Sequence, residues 1–527
     1  MAATKGSATT FVREATGLVK ELSWFDVFVW SVIFFPWLTS WSGLFWVTPD
    51  YYQNVDYYLS LGAWAVTALV VVVLYWQLTT AMPRSGGDYV FVSRAIASSV
   101  GFVASFIFYV ALLADPASTG AFWGFSEAGL QLSFSGQILN SPGITNLGNF
   151  LSPFTTSSPA TLFGLSALLL AVGATGIILG GRVFRMIIYG FFAFGGVTLL
   201  VVLGMFVMNG QSAFATDYAK YFAGGVPAVY AAAAKNGYST GYDLATLGLI
   251  VPVIFVSLGP FPTMQMVGGE IKNPKRSLLY GAVGAELASI AIFLLMTYLF
   301  DHSIGISFLE AWTVVNNYSS TVPSALAMVF YPNTALLWII TAGLFVGNIG
   351  WWWLALVFAS RIPMAWAFDR VVPTQLAHVS DRFHTPTTAI VLTVLLSTIP
   401  MYLIFFTSFI STQLNGTFLF TIAWLISAVA AVVLPFRRKS IFERSQSTAK
   451  LGGIPVLSLI GIVAIVVLGY LSYNAFTNPA IGPGALSARL IILGVIVASM
   501  AIYAVSYYYN KRRGFDLSLL SGELPPE

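Results

Sequence analysis

Residues 24–47 read WFDVFVWSVIFFPWLTSWSGLFWV, an apolar stretch long enough to cross a bilayer as a helix, with Pro36 near its middle. Residues 244–268 read LATLGLIVPVIFVSLGPFPTMQMVG and carry the run Gly-Pro-Phe-Pro at positions 259–262. A proline inside a helix removes one backbone donor and clashes with the preceding turn, at a cost of about 3 kcal/mol. Both stretches are therefore predicted to cross the membrane as broken helices.

The two breaks form the predicted binding site. Unpaired backbone at mid-membrane depth is tolerated only inside protein or beside a water-filled cavity. Its free amide groups attract anions, and its free carbonyl groups attract cations or ammonium groups. Two unrelated kinks are the alternative, because proline is common in membrane helices. The predicted substrate-binding residues at the breaks are Pro36, Trp37, Leu38, Thr39, Ser40, Ser257, Gly259, Pro260, Phe261 and Pro262.

The whole chain has the composition of a protein that lies in lipid. Hydrophobic residues make up 57% of its 527 residues and charged residues only 8%, against about 25% charged residues in soluble proteins. No ten-residue alternation indicates a β-barrel. The predicted fold is an all-α integral membrane protein with about twelve spanning helices. The predicted spans are 24–47, 57–80, 99–125, 160–180, 183–208, 244–268, 277–300, 335–368, 387–408, 413–435, 454–474 and 487–509.

The basic residues give the predicted orientation. If twelve spans alternate across the bilayer, only Lys220, Lys235 and Arg489 of the 24 Lys and Arg residues fall on one side. Basic residues concentrate in cytoplasmic loops, so the opposite side and both termini are predicted to be cytoplasmic. On the outer side, residues 126–159 are rich in Ser, Gly, Asn and Pro. They are predicted to form a long exposed loop, with a partial lid as the alternative.

The broken stretches are the first and sixth spans. This spacing is expected of two inverted five-helix repeats whose first helices are both interrupted at the substrate site. The predicted organisation is a cytoplasmic segment (1–22), a first repeat (23–209), a second repeat with its loops (210–435), two further helices (436–510) and a cytoplasmic tail (511–527).

Three loop motifs follow the second, sixth and eighth spans. They read MPRSGGDYV at 82–90, EIKNPKR at 270–276, and SR at 360–361 with AFDR at 367–370. Together with the two breaks, these motifs resemble the amino acid–polyamine–organocation superfamily of permeases over the first nine spans. The resemblance implies a five-plus-five inverted repeat with two additional C-terminal helices. It also implies alternating access of amino acids or related amines, driven by protons, sodium or exchange.

The first break departs from the pattern of that superfamily. The family's Gly-Ser-Gly or Gly-Thr-Gly element, which usually holds the substrate carboxylate, corresponds by position to Trp37-Leu38-Thr39, which lacks both glycines. Thr39, Ser40 and Ser42 remain as hydroxyl donors. Phe261 corresponds to an aromatic residue that commonly gates the substrate. Trp37, Trp41, Phe261 and Trp351 are also candidates for an aromatic pocket that would favour a cation or an apolar side chain, with simple packing as the alternative.

Four charged residues of the loop motifs are predicted to close a cytoplasmic gate. Arg84, Glu270, Arg361 and Asp369 would form ion pairs that hold the inner face shut. Structural packing of the loops is an equal alternative.

Three polar residues lie deep in predicted spans. Asp115 in the third span and Glu286 in the seventh are carboxylates in lipid, which are costly and mark functional sites. Either of them is a candidate to carry a proton during transport. Asp115 is also a candidate to bind an amine, and the alternative for Glu286 is pairing with a basic loop residue. Asn348 is a candidate ligand for solute or ion, with an interhelical hydrogen bond as the alternative.

The predicted function is secondary active transport of amino acids or related small organic amines across the cell membrane. The coupling ion would be H⁺ or Na⁺, and no metal or other cofactor is expected. The expected partners are a small solute and the bilayer, without nucleic acid; nothing indicates an oligomeric state. No catalytic or metal-binding motif is present, so an enzyme is not expected. The alternative is a transporter-like receptor or scaffold that binds solute without moving it.

Overall fold

The fold is a bundle of membrane-spanning helices. The computed structural model describes residues 17–51, 55–239, 241, 246–258, 262–316, 322–409, 413–477, 486–517 and Leu524. Within these residues, eleven helical segments are long and apolar enough to cross a membrane. The only strands in this part form a two-stranded antiparallel ribbon, Lys450–Leu451 with Ile454–Pro455. The prediction of an all-α integral membrane protein is confirmed.

The helices of the described residues are numbered in chain order. They are α1 (Trp24–Phe34), α2 (Trp37–Tyr51), α3 (Tyr57–Ala81), α4 (Asp88–Ala95), α5 (Ser98–Ala114), α6 (Pro116–Ile138), α7 (Pro142–Leu151), α8 (Pro159–Leu179), α9 (Gly181–Val207), α10 (Gln211–Tyr221), α11 (Gly225–Lys235), α12 (Leu247–Leu258), α13 (Pro274–Leu278), α14 (Gly284–Ser303), α15 (Ile306–Val315), α16 (Pro323–Leu326), α17 (Thr334–Phe368), α18 (Thr387–Phe406), α19 (Gln413–Arg437), α20 (Lys439–Glu443), α21 (Val456–Thr477) and α22 (Leu486–Arg512). Short 3₁₀ turns are Met264–Met266, Gly268–Glu270, Ala327–Val329 and Thr374–Ala377, and Leu279–Val283 is a π-helical turn.

The first span is broken where its proline lies. Ser23 and Asp26 form a capping box that starts α1, in which each side chain bonds the backbone N–H of the other. Phe35 ends α1 with a φ of −130° and a ψ of 73°. The chain then restarts as α2, and Ser40 N–H donates to the Pro36 carbonyl at 2.8 Å. The predicted interruption of this span is confirmed.

The sixth span is described on both sides of its predicted break. Helix α12 ends at Leu258, and the chain resumes at Pro262 before the 3₁₀ turn Met264–Met266. Gly259, Pro260 and Phe261 lie outside the described residues, as does the side chain of Ser257. Helix α12 has 12 residues, too few to cross a bilayer alone. For this reason eleven complete spans are counted rather than twelve.

The third span is longer than predicted, and the predicted outer loop at 126–159 is wrong. Helix α5 stops at Ala114, but Pro116 starts α6 at once, and α6 continues to Ile138. Helix α7 follows and packs against α6. Together α6 and α7 make most of the stretch 126–159 helical. Its many Ser and Gly residues allow close packing inside protein. A Cβ added at Gly129 would lie 2.6 Å from the Ser152 nitrogen, for example.

Helix α17 lies at the centre of the bundle. Asn333 caps its first turn by accepting from the N–H groups of Ala335 and Leu336, and the helix runs 35 residues, as the long eighth span predicted. It packs against α6, α9, α18 and α1. By contrast, the apolar faces of α9 and α22 remain exposed, with Leu200 and Val505 each 70% exposed. Such faces require lipid as their solvent.

Candidate functional site

The break of the first span is anchored to α14. Trp37, the first residue of α2, donates its indole N–H to the hydroxyl of Ser289 at 2.9 Å. One turn further along α2, the Trp41 indole N–H donates to the hydroxyl of Thr297 at 3.2 Å. The N–H groups at the start of α2 have no carbonyl one turn earlier in the same helix. The predicted site residues Pro36–Ser40 therefore surround a helix end that is held rigidly from one side.

A carboxylate that sequence reasoning missed lies beside this break. Glu127 of α6 accepts a hydrogen bond from the Asn348 side-chain amide at 2.9 Å. Asn348 also donates to the Leu344 carbonyl at 3.0 Å, within α17. Thr39 of α2 lies within hydrogen-bonding reach of the same carboxylate. Glu127, Asn348 and Thr39 thus form a polar cluster, here called the central cluster, contributed by three different helices.

Small residues of α6 bring Glu127 to this position. A Cβ added at Gly120 would lie 2.2 Å from the Trp352 Cβ, and one added at Gly124 would lie 3.4 Å from the Asn348 Cβ. Residues 120, 124 and 127 lie on one face of a helix, because neighbours three or four positions apart share a face. This spacing was the available signal, since two glycines on one face predict close contact with another helix.

No basic side chain neutralises Glu127 in the described part of the chain. The ion pairs found there join Arg94 to Asp369, Arg185 to Glu21 and Asp26, Lys220 to Asp217, and Arg361 to Glu270. A carboxylate within a membrane-spanning helix is unfavourable without a positive partner. The central cluster is therefore a place where a mobile positive charge would be stabilised.

The two predicted intramembrane acids lie elsewhere. Asp115 stands at the joint between α5 and α6, buried, where its carboxylate accepts from the Thr119 hydroxyl at 3.3 Å. Glu286 lies in the first turn of α14 and borders a cavity that also touches Phe35 and Pro262, next to the two predicted breaks. Among the described residues, no group of three or more His, Asp and Glu side chains is placed to hold a metal ion.

The end of the bundle that is predicted to be cytoplasmic contains a bidentate ion pair. The Arg361 guanidinium of α17 donates Nε to one Glu270 carboxylate oxygen at 3.0 Å and Nη2 to the other at 3.2 Å. The segment before α1 adds backbone pairing, because Leu22 N–H donates to the Glu270 carbonyl and Lys272 N–H to the Leu22 carbonyl. Glu270 thereby joins α17 to the N-terminal segment.

Asp369 forms a second ion pair at the same end, with Arg94 of α4 rather than with Arg84. The Arg94 guanidinium donates to both Asp369 carboxylate oxygens, at 2.6 and 3.1 Å, and the Tyr89 hydroxyl donates at 2.8 Å. The Arg84 guanidinium instead donates to the Pro83 carbonyl at 2.9 Å. Of the four predicted gate residues, the structure therefore pairs Glu270 with Arg361 and places Asp369 and Arg84 with other partners.

These observations define a polytopic membrane protein with a broken helix and uncompensated carboxylates at its centre, which is the construction of a solute carrier. The family model described as amino acid permease matches residues 57–501, and the chain belongs to this family. The match confirms the resemblance to the amino acid–polyamine–organocation superfamily. It supports a transporter of amino acids or related amines and points to a transporter rather than an enzyme. No curated protein matches the chain.

Proposed function

We propose that this permease is a secondary transporter that moves small organic amines, amino acids included, by alternating access through the break of the first span. The observation that carries the proposal is the position of Glu127, beside Asn348 and Thr39 at the start of α2. An ammonium group is the positive charge that a carboxylate in this setting would bind, since charge-assisted hydrogen bonds are the stronger ones.

The same break offers places for the other parts of a solute. The free N–H groups at the start of α2 favour a carboxylate, and the free carbonyl groups at the end of α1 favour an ammonium group. Trp37, half-buried and held by Ser289, would provide an aromatic wall. A zwitterionic amino acid and a simple amine would both fit this arrangement. The amine needs only partners for its ammonium group, whereas the amino acid also needs the N–H groups for its carboxylate. Ser257, Gly259, Pro260 and Phe261 are proposed to complete the site from the second break.

Alternating access would proceed by opening the inner end. The bidentate Arg361–Glu270 pair and the backbone pairing of Leu22 with Glu270 and Lys272 hold that end closed. Breaking them would separate the segment before α1 from the segment after α12, which are the inner ends of the two predicted broken spans. The predicted five-plus-five repeat would make this movement a rocking of one repeat against the other.

The setting of the transporter is proposed to be the cell membrane, with both termini in the cytoplasm. This orientation agrees with the distribution of basic residues along the sequence. Transport would be driven by protons, by Na⁺ or by exchange, with Asp115 and Glu286 as candidates for the coupling step.

The proposal can be tested with the full chain in liposomes. A thermal-shift screen over L-amino acids, their decarboxylated amines and nucleobases would select a solute for radiolabelling. We expect liposomes preloaded with unlabelled solute to take up the labelled form transiently, by counterflow. Binding without counterflow would instead indicate the receptor or scaffold that is the alternative. Flux that does not saturate would indicate a channel.

A matched pair of variants makes the test specific. Glu127→Gln keeps the size of the side chain but removes its charge, and it should lose counterflow of amines. Glu443→Gln removes an exposed carboxylate on α20 and should behave as the wild type. Equal counterflow by the two variants would remove Glu127 from the binding site.

A further inference from the structure

A second polar site lies beside the break of the first span, away from Glu127. A cavity of about 40 Å³ is enclosed by α1, α3, α14 and the segment that follows α12. Its lining includes Phe35, Tyr75, Thr79, Pro262, Gln265 and Glu286. The cavity is large enough for one or two water molecules, each of which needs roughly 10–15 Å³ of accessible space.

Two buried side chains on this lining have polar atoms without a hydrogen-bond partner in the described structure. They are one carboxylate oxygen of Glu286 and the hydroxyl of Thr79. Glu286 is 9% exposed and Thr79 is 1% exposed. Gln265, also 1% exposed, lies within hydrogen-bonding reach of Asp88. A buried polar group that lacks a partner is unfavourable, so two of them around one cavity indicate a ligand that fills it.

The chemistry of the lining favours water and a proton over a metal ion. The Gln265 amide presents N–H donors as well as an acceptor, and the Thr79 hydroxyl can donate or accept. Water satisfies both kinds of group, whereas the donor N–H would repel a metal cation. One carboxylate without a basic partner supplies a place for a single positive charge, and in membrane transporters such carboxylates act in proton relays.

The cavity is connected directly to the broken helix. Ser289 lies one turn beyond Glu286 on α14, donates to the Ala285 carbonyl at 2.8 Å and accepts the Trp37 indole N–H at 2.9 Å. A change at the carboxylate can therefore reach the first residue of α2 through one turn of helix and one hydrogen bond. The adjoining π-helical turn, Leu279–Val283, is of a kind often found at functional sites.

That turn also packs tightly against α1. A Cβ added at Gly281 would lie 2.5 Å from Val27 Cγ1 and 2.7 Å from the Trp24 carbonyl oxygen. A movement of α14 near Glu286 would therefore be transmitted to α1 as well as to α2.

We propose that the cavity around Glu286 is a proton-binding site, separate from the solute site at Glu127, through which proton movement is coupled to solute movement. This inference rests on the proposed function. In the binding step, hydronium reaching the cavity transfers its proton to the Glu286 carboxylate, leaving a neutral carboxylic acid and a water molecule. The water and the acid then satisfy the Thr79 hydroxyl. In the release step the acid transfers its proton to water, which restores the carboxylate and forms hydronium, and the restored charge changes the packing of α14 and, through Ser289, of Trp37.

Several other titratable groups near α14 have partners elsewhere among the described residues. Tyr75, which also lines the cavity, donates its hydroxyl to Asp88. Further pairs are Asp26 with Ser23 and Tyr189, Tyr58 with Asp301, Arg185 with Glu21, Lys220 with Asp217, and Glu270 with Arg361. Glu286 is the carboxylate that lines the cavity itself.

The first experiment needs no solute. Infrared difference spectra of the reconstituted full chain, recorded between neutral and alkaline pH, where exposed carboxylates stay ionised, should contain a carboxylic C=O band. The band should be absent from Glu286→Gln and present in Glu443→Gln, the exposed control. A band that persists unchanged in Glu286→Gln would overturn the proton site. If the band changed when Na⁺ was replaced by N-methylglucamine, the cavity would be a sodium site and the proton site would be overturned.

The second experiment tests coupling, with the radiolabelled amine selected by the thermal-shift screen. Wild-type liposomes should accumulate it along an imposed pH gradient. Glu286→Gln should lose at least about tenfold of this accumulation and keep counterflow. Trp37→Phe, which removes the bond to Ser289, should keep the infrared band yet lose accumulation. Wild-type counterflow without accumulation along the imposed pH gradient would overturn the inference and leave the permease proposal intact. An infrared band without any counterflow would overturn the permease proposal and the coupling together.

Discussion

Glu270 and Asp369 at the inner end of the bundle have arginine partners, whereas Glu127 and Glu286 near its centre have none among the described residues. Glu270 and Asp369 each accept two hydrogen bonds from one guanidinium. Glu127 has only the neutral groups of Asn348 and Thr39, and Glu286 has an oxygen with no partner at all. Helix α17 takes part in both regions, through Asn348 near its middle and Arg361 near its inner end.

The difference separates two uses of buried charge. Paired charges fix an arrangement, because breaking such a pair leaves one charge buried and uncompensated. A carboxylate without a basic partner instead stabilises any state in which a positively charged group binds next to it. We therefore propose that the inner end holds the closed state and that the centre binds an ammonium group or a proton.

The largest effect is expected from a change at Glu127, because this change removes one of the two unpaired carboxylates on which the comparison depends. Glu127→Gln should weaken binding of a protonated amine by at least about 30-fold, since losing one partner of a desolvated charge pair costs about 2–5 kcal/mol. Thermal shift and saturation binding would measure the change. Unaltered amine affinity in Glu127→Gln would show that the central carboxylate is structural.

A smaller effect is expected when the inner lock is opened. Arg361→Gln removes the partner of Glu270, which is 14% exposed, and should shift the closed state by about 1–3 kcal/mol. The chain has no cysteine, so Ser31→Cys, in the cavity next to Glu286, provides a single labelling site. We expect maleimide to label it about tenfold faster in the Arg361→Gln background.

Two controls accompany this labelling experiment. Arg444→Gln, at an exposed arginine after α20, should leave the labelling rate unchanged. The exchange of charges in Glu270→Arg with Arg361→Glu should restore protection in part. Identical labelling of Ser31→Cys with and without Arg361 would mean that the pair does not hold the gate.

Glu310, a buried acid outside the spanning helices, allows the effect of an acid without a basic partner to be measured through the pH dependence of stability. Burial raises the pKa of Glu310 on α15 to about 7, and the hydrogen bond donated by Tyr238 lowers it only in part. The folded state therefore prefers the protonated acid, and the associated stability, fully present below the ordinary pKa, is lost as pH rises towards 7. Glu310→Gln should match the wild type near pH 4 and exceed it at pH 8, by about 3 kcal/mol at most.

Thermal unfolding in detergent would measure this difference, with Glu443→Gln as the exposed control. A stability difference between Glu310→Gln and the wild type that stays constant from pH 4 to pH 8 would contradict the assignment.

The smallest effect is expected at Asp115. Its carboxylate accepts from Thr119 at the joint of α5 and α6, a position compatible with a local structural role. The prediction that Asp115 carries a proton requires Asp115→Asn to change the pH profile of uptake, by roughly two- to fivefold at the extremes of pH. Uptake with the wild-type pH profile would assign proton transfer to other groups.

Much of this fold follows from short-range chemistry in the sequence. Pro36 predicts the end of α1, because a missing N–H and a steric clash act wherever a proline lies in a helix. The long apolar stretch of α17 likewise predicts its own span. The central cluster could not be predicted from the sequence in this way. Glu127 lies in a polar part of α6 that faces other helices rather than lipid, so its hydropathy is typical of a loop. Pairing of Asp369 with Arg94 rather than Arg84 depends on loop geometry that composition does not determine.

The most direct test is an experimental structure of the full chain with the selected amine bound. The account requires the ammonium nitrogen to lie about 2.7–2.9 Å from a Glu127 carboxylate oxygen, at the start of α2, with the Arg361–Glu270 pair still closed. An amine bound elsewhere, with the Glu127 contacts to Asn348 and Thr39 unchanged, would contradict it.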